Sequence, residues 1–177
     1  MAGAVTIRRV GAAEAIGDAG LVQALADLLI DCVEGGASVS FMLPLPRDKA
    51  LAFWRGVAGA VDRGERVLLV AEDSGQIIGT VQMIVAQPDN QPHRADIAKM
   101  LVRRSARRRG IAQRLMAAID EEARRAGKTL LVLDTVTGGD AERLYLRAGW
   151  QRVGEVPGYA LMPSGGLCAT TIFYKAI

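Results

Sequence analysis

The sequence has few cysteines, few aromatic residues and no long apolar run, and each shortage excludes a class of protein. Only Cys32 and Cys168 occur, without a CxxC pair or a Cys/His cluster, so neither a disulfide framework nor a metal site is indicated. No apolar stretch approaches the roughly 18 residues that a membrane span needs, and the segment MAGAVTIRRV lacks the apolar core of a signal peptide. We therefore expect a reduced, cytoplasmic protein that binds no metal and no membrane.

Positive charge is concentrated in one short segment. The formal net charge is +3, and five arginines lie between Arg103 and Arg109, without which the chain would carry −2. A nucleic-acid partner would explain such a run, but proteins that bind single strands also use aromatic side chains for base stacking. Aromatic residues make up 5% of the chain, and none lies between Trp54 and Tyr145. We therefore expect a small anionic ligand and no nucleic acid.

Hydrophobic periodicity predicts one α/β (α+β) domain over residues 1–177, with the element order β-α-α-β-β-β-α-β-α-β-β. Predicted strands show alternating or short apolar runs, and predicted helices repeat apolar residues at i, i+3, i+4 and i+7. No internal repeat or composition break indicates a second domain. The predicted strands are 5–10, 66–73, 76–87, 95–102, 129–136, 150–156 and 169–177, and the predicted helices are 18–33, 47–63, 112–126 and a short segment after residue 140.

Local patterns add four structural expectations. Asp18 and Asp140 are predicted N-caps, because aspartate accepts hydrogen bonds from the first free N–H groups of a helix. The strand 129–136 is apolar on both faces, which predicts a central strand covered on both sides. Alternation along 95–102 places four side chains on one face of that strand, namely Asp96, Ala98, Met100 and Val102.

The arginine run leads into Gly110-Ile111-Ala112, the first turn of the most strongly amphipathic predicted helix. The first turn of a helix has unpaired N–H groups and the positive end of the helix dipole, so it favours an anion. Gly110 allows close approach of the backbone to a ligand, and neighbouring arginines offer bidentate partners for phosphate oxygens. The segment therefore predicts a pyrophosphate site, although neither a P-loop nor a Rossmann fingerprint is present.

Residues Arg107 to Ala112 match the [Q/R]-x-x-G-x-[G/A] signature of the GNAT superfamily of acetyl-CoA-dependent N-acetyltransferases, which this chain resembles. The segment AERLYLRAGW is similar to the A-x-x-L-Y-x-x-x-G-[F/W] motif of the same superfamily. The resemblance covers nearly the whole chain and implies the GNAT fold, a central, mixed, mostly antiparallel sheet flanked by helices. Four segments resemble more closely the tabtoxin-resistance acetyltransferases, which acetylate a β-lactam amino-acid toxin: GGASVSFM, HRADIAKMLV, LLVLDT and RVGEVPGYALMPSGGL.

The resemblance implies acetyl-CoA as cosubstrate and direct transfer within a ternary complex, without a covalent cysteine. The strand end at Met100, Leu101 and Val102 would pair with the pantetheine arm, and a backbone N–H near Leu101 would polarise the thioester carbonyl. Many family members carry an asparagine where Gly138 stands, so Thr135 or backbone groups would replace that contact. The pyrophosphate is expected on the N–H groups of Arg107, Arg108, Arg109, Gly110, Ile111, Ala112 and Gln113.

Three residues are candidates for the proton transfers. Asp96 lies where the sub-family carries a carboxylate, and Asp134 closes an apolar run, which is expected to leave its carboxylate partly desolvated. Either could accept the amine proton directly or through water, or could only pair with an arginine or anchor a loop. Tyr145, in the Leu-Tyr-x-x-x-Gly setting, is the expected acid for a thiolate whose conjugate acid has a pKa near ~8.5; otherwise it is a core aromatic.

The acceptor is expected between the connection of the first two helices and the late loop around Gly158–Tyr159. The leading hypothesis is transfer of acetyl to a small amine, with an amino-acid-like toxin such as tabtoxinine-β-lactam as one acceptor. The alternatives are acetylation of a protein or peptide amine and a non-catalytic acyl-CoA-binding regulator, and a homodimer is left open. The residues expected to contact the acceptor are Gly36, Ser38, Ser40, Phe41 and Tyr159.

Overall fold

The computed structural model describes residues 4–177, so the first three residues of the domain predicted over 1–177 lie outside the described range. The strands are β1 (Thr6–Arg9), β2 (Arg66–Asp73), β3 (Gln76–Ile84), β4 (Arg94–Val102), β5 (Leu130–Val136), β6 (Gln151–Leu161) and β7 (Leu167–Ala176). The helices are α1 (Ala12–Gly17), α2 (Ala19–Glu34), α3 (Arg47–Asp62), α4 (Ile111–Arg125) and α5 (Asp140–Arg147), with a 3-10 turn at Arg104–Ala106.

A seven-stranded sheet has the order β1-β2-β3-β4-β5-β7-β6. Its neighbours are antiparallel except for β4 and β5, which run parallel. Parallel neighbours need a crossover connection, and α4 supplies it. The predicted hairpin of β2 and β3 is present, and the MPSGG turn joins β6 to β7 through a hydrogen bond from the N–H of Met162 to the carbonyl of Gly166 (2.9 Å).

Helices pack on both faces of the sheet around two apolar clusters. The first cluster joins α1, α2 and α3 to strand residues that come from β2, β3 and β4, such as Leu68, Ile77 and Leu101. The second cluster joins α4 and α5 to residues from β2, β3, β4, β5 and β7, such as Leu131 and Phe173. The helical layer over the first face therefore stops short of β5, and that face of β5 is left open.

This open face corrects the expectation for β5. The strand is central, as predicted, but it is not covered on both sides. Leu131 and Leu133 are buried under α4 and α5, whereas Val132 on the other face is only half-buried. Asp134 is exposed, so the predicted desolvation of its carboxylate is wrong for the same reason.

The helix starts follow the capping rules at one site and depart from them at another. Asp18 is the N-cap of α2 and accepts hydrogen bonds from the N–H groups of Gly20 (2.8 Å) and Leu21 (3.1 Å), as predicted. The cap predicted at Asp140 is wrong, because Gly139 is the N-cap of α5 and makes no side-chain bond. Helix α1 was not predicted; it is short, and only Ala15 within it is buried.

A β-bulge in β4 corrects the predicted face of four side chains. Gln82 of β3 pairs with Ala98, but Thr80 pairs with Leu101, so β4 holds one residue more than β3 between these pairs. Lys99, within this bulge, has a left-handed backbone with φ of 51°. Side chains therefore change faces at the bulge. Ala95, Ile97, Met100 and Val102 belong to the α4 side, and Leu101 belongs to the α2–α3 side, so Asp96 and Ala98 do not share a face with Met100 and Val102.

The edge strand β6 is longer than predicted and runs through Pro157 to Leu161. Its register against β7 is irregular between Val156 and Ala160, and an edge strand tolerates a proline that a central strand would not. Tyr159, expected in a loop, lies within this strand. Among the helices of residues 4–177, none has the length and apolar character that crossing a membrane requires.

Candidate active site

The sheet is split where its two parallel strands separate. Strands β4 and β5 pair only from Arg94↔Leu130 to Asp96↔Val132, yet both strands continue beyond these residues. The facing edges of 97–102 and 133–136 therefore have no strand partner between them. Unpaired backbone groups of this kind must be satisfied by water or a ligand. We call the opening between these two edges the cleft.

The N-terminus of α4 follows the end of β4 through the arginine segment. Within the described chain, no hydrogen bond is donated by the backbone N–H groups from Arg108 to Gln113, whereas that of Arg107 donates to the carbonyl of Arg104 (3.4 Å). Arg108 and Gly110 both have left-handed backbones, with φ of 62° and 75°. Left-handed residues inside a turn direct successive N–H groups toward one side and form an anion-binding nest, here at the positive end of α4.

The arginine side chains of this segment have different surroundings. Arg104 is held on α2, where its N–H and its guanidinium both donate to the carboxylate of Asp31 (2.8 and 2.9 Å). Arg109 is held on the β2–β3 hairpin by Asp73 (2.7 Å). Arg108 is exposed and has no carboxylate partner among the described residues. Two arginines therefore fix the loop, and Arg108 remains available to an anionic ligand.

Backbone polar groups of β4 point in two directions, toward β3 and toward the cleft. The carbonyl oxygen of Leu101 lies 3.1 Å from the position that a Cβ on Gly79 of β3 would take, so this oxygen faces β3. Alternate residues of a strand direct their polar groups to opposite edges. The carbonyl of Val102 accordingly faces away from β3, and it accepts from the Sγ of Cys32 and the Nε of Arg107, each at 3.4 Å.

Tyr145, on α5, lies in the second apolar cluster together with Leu133 of β5. Tyr145 is buried, and its ring packs against those of Trp150 and Phe173, with centroids 6.0 Å away in each case. Burial and, secondarily, the negative charge of Asp134 raise the pKa of the Tyr145 phenol well above its usual range. The hydroxyl has no hydrogen-bond partner within residues 4–177, so its proton is available to a ligand.

The two candidate carboxylates have different partners. Asp134 is exposed and accepts one hydrogen bond, from the Oγ1 of Thr170 (3.2 Å). Asp96 lies at the last β4–β5 pair, where it forms an ion pair with Arg94 (2.6 Å) and accepts from the amide of Gln87 (3.1 Å). Of the two carboxylates, Asp134 and not Asp96 contributes to the raised pKa of Tyr145.

Thr135 and Gly138 follow Asp134 at the end of β5. The carbonyl of Thr135 accepts from the hydroxyl of Thr170 (2.9 Å). The N–H of Gly138, which has a left-handed backbone, donates to the carboxylate of Glu142 (2.6 Å) and so takes part in the start of α5. Gly138 therefore presents a backbone N–H that is already bonded within the chain.

Lys99 is a site residue that the sequence reasoning missed. Its Nζ donates to the Oγ of Ser40 (3.1 Å) and lies 5.7 Å from the centre of the Phe53 ring. Burial lowers the pKa of Lys99, and the nearby Asp134 carboxylate partly opposes this effect. The signal was present in the sequence, because Lys99 is the one polar residue of 97–102, and a lysine within an apolar run is rarely placed there for packing.

The α2–α3 connection contacts Lys99 of β4 and the β6–β7 hairpin. The Oγ of Ser38 donates to the carbonyl of Leu161 (3.2 Å), and the N–H of Leu43 donates to that of Pro163 (2.9 Å), so the connection is fastened to the β6–β7 hairpin. The other predicted acceptor residues differ in exposure: Gly36, Ser40 and Tyr159 are exposed, and Phe41 is buried against Phe53.

Two further features lie outside this candidate site. A cavity of about 340 Å³ lies between α1, α2 and α3, and no predicted site residue lines it. Within the described residues, no group of three side chains from histidine, cysteine, aspartate and glutamate is arranged to hold a metal ion. Cys32 is buried and Cys168 half-buried, and both are free thiols.

Comparisons with known proteins place this geometry in a family. The family model described as "Acetyltransferase (GNAT) family" matches residues 21–150. The chain therefore belongs to the GNAT acetyltransferase family, as its motifs predicted.

Individual relatives agree with this assignment. An uncharacterized N-acetyltransferase from the hisH-hisA intergenic region of Azospirillum brasilense is 34% identical over 112 residues, which are 62% of this chain and 65% of the relative's length. The chain thus spans less than two thirds of that relative.

Solved structures match over almost the full chain. The Salmonella typhimurium protein yncA, solved with its cofactor acetyl-CoA, aligns with a TM-score of 0.78 at 19% identity, over 98% of this chain and 94% of that chain. An N-acetyltransferase from Staphylococcus aureus Mu50 aligns with the same TM-score at 17% identity, over 98% of each chain. The predicted GNAT fold, a mostly antiparallel sheet flanked by helices, is confirmed.

Proposed function

We propose that the protein transfers an acetyl group from acetyl-CoA to the amine of a small molecule in the cleft, by direct transfer in a ternary complex. One observation carries the proposal: the N–H groups from Arg108 to Gln113 have no acceptor in the described chain, and they follow the end of β4, whose edge has no pairing with β5 beyond Asp96. Family membership supports acetyl-CoA as the donor, which supplies an activated thioester acetyl group.

The residues of the chain fit the cosubstrate in two places. The nest at Arg108 to Gly110 and the first turn of α4 would hold its pyrophosphate, because these N–H groups lack partners and lie at a helix N-terminus. The open edge of β4 at Met100 and Val102 would pair with its amide-bearing arm. Leu101 presents its carbonyl to β3 instead, so we expect the N–H that polarises the thioester carbonyl at a neighbouring position.

Tyr145 and Asp134 would handle the protons. The raised pKa of Tyr145 keeps its hydroxyl protonated at neutral pH, so the Oη can donate a hydrogen bond to the sulfur of the leaving group. Asp134 would take the proton of the acceptor amine, directly or through a water molecule. Asp96 is the second candidate, but its carboxylate is already engaged by Arg94 and Gln87.

The acceptor is proposed from the resemblance and from the shape of the site. Tabtoxinine-β-lactam is the first acceptor to test, because four segments resemble enzymes that acetylate it. The α2–α3 connection is hydrogen-bonded to Leu161 and Pro163 of the β6–β7 hairpin. These bonds limit the width available to the acceptor, which favours a small amine over a protein chain. A cytoplasmic location and a homodimer remain predictions.

Thiol release from acetyl-CoA tests this function. We expect saturable release with tabtoxinine-β-lactam or another small amine in a panel of amino acids, polyamines, aminoglycosides and peptides. Asp134→Asn is expected to lower kcat about 100-fold or more, and Asp96→Asn to lower it less, because general-base catalysis contributes about 100- to 10,000-fold. Tight acetyl-CoA binding without release for any acceptor would contradict the proposal and favour the regulator alternative.

A further inference from the structure

Lys99 has a backbone conformation that packing alone does not explain. It lies within the bulge of β4 with φ of 51°, and its side chain is half-buried. Left-handed backbones are uncommon for residues other than glycine, and strain of this kind is concentrated at functional sites. The bulge reverses the alternation of β4, and the Lys99 ammonium lies beside Ser40 and Phe53 of the α2–α3 region.

The contacts of the ammonium come from residues of the acceptor end. Ser40, which accepts its hydrogen bond, also has a left-handed backbone, with φ of 77°. Two strained residues from separate elements therefore meet in one hydrogen bond. The aromatic ring of Phe53, 5.7 Å away, adds an attraction for the positive charge. These contacts orient the lysine, but they leave its charge uncompensated.

Two charged side chains influence the pKa of Lys99, the carboxylate of Asp134 and the guanidinium of Arg66. In the part of the chain that the structure describes, no carboxylate lies within ion-pair distance of its ammonium. Arg66, a second cation of this region, donates to the Oε1 of Gln82 (2.6 Å), opposite Ala98 of β4. The amide nitrogen of Gln82 is buried without an acceptor. Among the residues described, no anion therefore binds the Lys99 ammonium directly.

We propose that Lys99 selects the acceptor by binding a carboxylate group that the acceptor carries beside its reactive amine. The inference rests on the proposed transfer at this cleft and names the class of acceptor, an amine that also bears a carboxylate. Lys99 and Asp134 lie close enough to influence each other electrostatically. An amino acid fits this pair of charges, with its carboxylate on Lys99 and its ammonium toward Asp134, whereas a polyamine would meet like-charge repulsion at Lys99.

Two substitutions separate the charge of Lys99 from its shape. Lys99→Met removes the charge, and Lys99→Arg keeps it; both side chains are unbranched, so the left-handed backbone costs similar free energy in each variant. The probes are L-lysine with cadaverine and L-ornithine with putrescine, because the members of each pair differ by one carboxylate. Binding is measured by calorimetry with coenzyme A present, and turnover is measured by thiol release.

We expect wild-type protein to prefer L-lysine and L-ornithine over their decarboxylated partners. Lys99→Met should weaken binding of the two amino acids about 10- to 100-fold, as expected for loss of a charged hydrogen bond. Binding of cadaverine and putrescine should become tighter, because the variant removes the like-charge repulsion. Lys99→Arg should retain most of the preference. The KM for acetyl-CoA should stay the same in both variants.

Other outcomes overturn the proposal. If Lys99→Met weakened binding of both members of a probe pair equally, Lys99 would have a structural role. If the variant displaced the pH profile of kcat at unchanged KM, Lys99 would have a proton-transfer role. Absence of the preference in wild-type protein would also overturn it. Carboxylate-selective binding without thiol release would leave the Lys99 site standing and remove the proposed transfer.

Discussion

Replacement of Gly110 by valine is expected to weaken acetyl-CoA binding at least about 100-fold. The φ of 75° at Gly110 is strongly unfavourable for a β-branched residue, so the nest before α4 would change conformation. Apart from its chain neighbours, no atom of residues 4–177 lies within 4 Å of the position of an added Cβ, so the new side chain would enter open space at the start of α4. Loss of two charge-assisted hydrogen bonds, each about 1.5–3 kcal/mol, accounts for the expected magnitude.

Gly127→Val is a matched control for this experiment. Gly127 follows the other end of α4, has φ of 67° and also has open space around the position of a Cβ. Both variants should lose about 1–3 kcal/mol of free energy of unfolding from backbone strain. Only Gly110→Val should lose acetyl-CoA affinity, as measured by titration calorimetry. Equal affinities in the two variants would mean that the cosubstrate does not use the nest.

Tyr145→Phe is expected to lower kcat about 100- to 10,000-fold, the usual contribution of a positioned acid. The Kd for acetyl-CoA should be unchanged, because the ring and its packing on Trp150 and Phe173 are retained. Burial and Asp134 raise the pKa of the phenol, so the wild-type hydroxyl is protonated throughout the usual assay range. Any alkaline decrease in wild-type kcat near neutral pH therefore arises from another group.

Tyr174→Phe serves as the comparison, since it also removes one hydroxyl. The hydroxyl of Tyr174, on β7, donates to the Oε1 of Gln151 (2.5 Å) and takes no part in the constellation around Asp134. We expect its kcat to stay within about 2-fold of wild type, a difference below about 0.5 kcal/mol. If Tyr145→Phe behaved in the same way under single-turnover conditions, Tyr145 would be a core aromatic and not the acid.

The elements that the sequence predicted well are those with a local signal. Helices α2, α3 and α4 repeat apolar residues over several turns, and the β2–β3 hairpin has alternating strands around DSGQ. Helix α1 has no such signal, because it is too short to show a period. The cap at Gly139 was missed because Glu142, and not Asp140, accepts the N–H of Gly138.

The errors at the site have a non-local origin. Whether Asp134 is desolvated depends on how far the α2–α3 layer extends over β5, which no pattern within LLVLD records. Whether Asp96 shares a face with Met100 and Val102 depends on the bulge at Lys99, where the backbone is left-handed despite a lysine side chain. Gly110 illustrates the opposite case, because the choice of glycine there is a local signal that predicted close approach of the backbone to a ligand, and its φ of 75° is one that glycine adopts readily.

Hydrogen exchange of the backbone amides, with and without acetyl-CoA, tests the central claim most directly. We predict strong protection on binding at 108–113 and at the cleft-facing N–H groups of Met100 and Val102, because those N–H groups would gain acceptors from the cosubstrate. Amides of the edge strand β6 between Gln151 and Val156 should exchange as before. Saturable binding that protects other segments and leaves 108–113 unchanged would contradict the placement of the cosubstrate in the cleft.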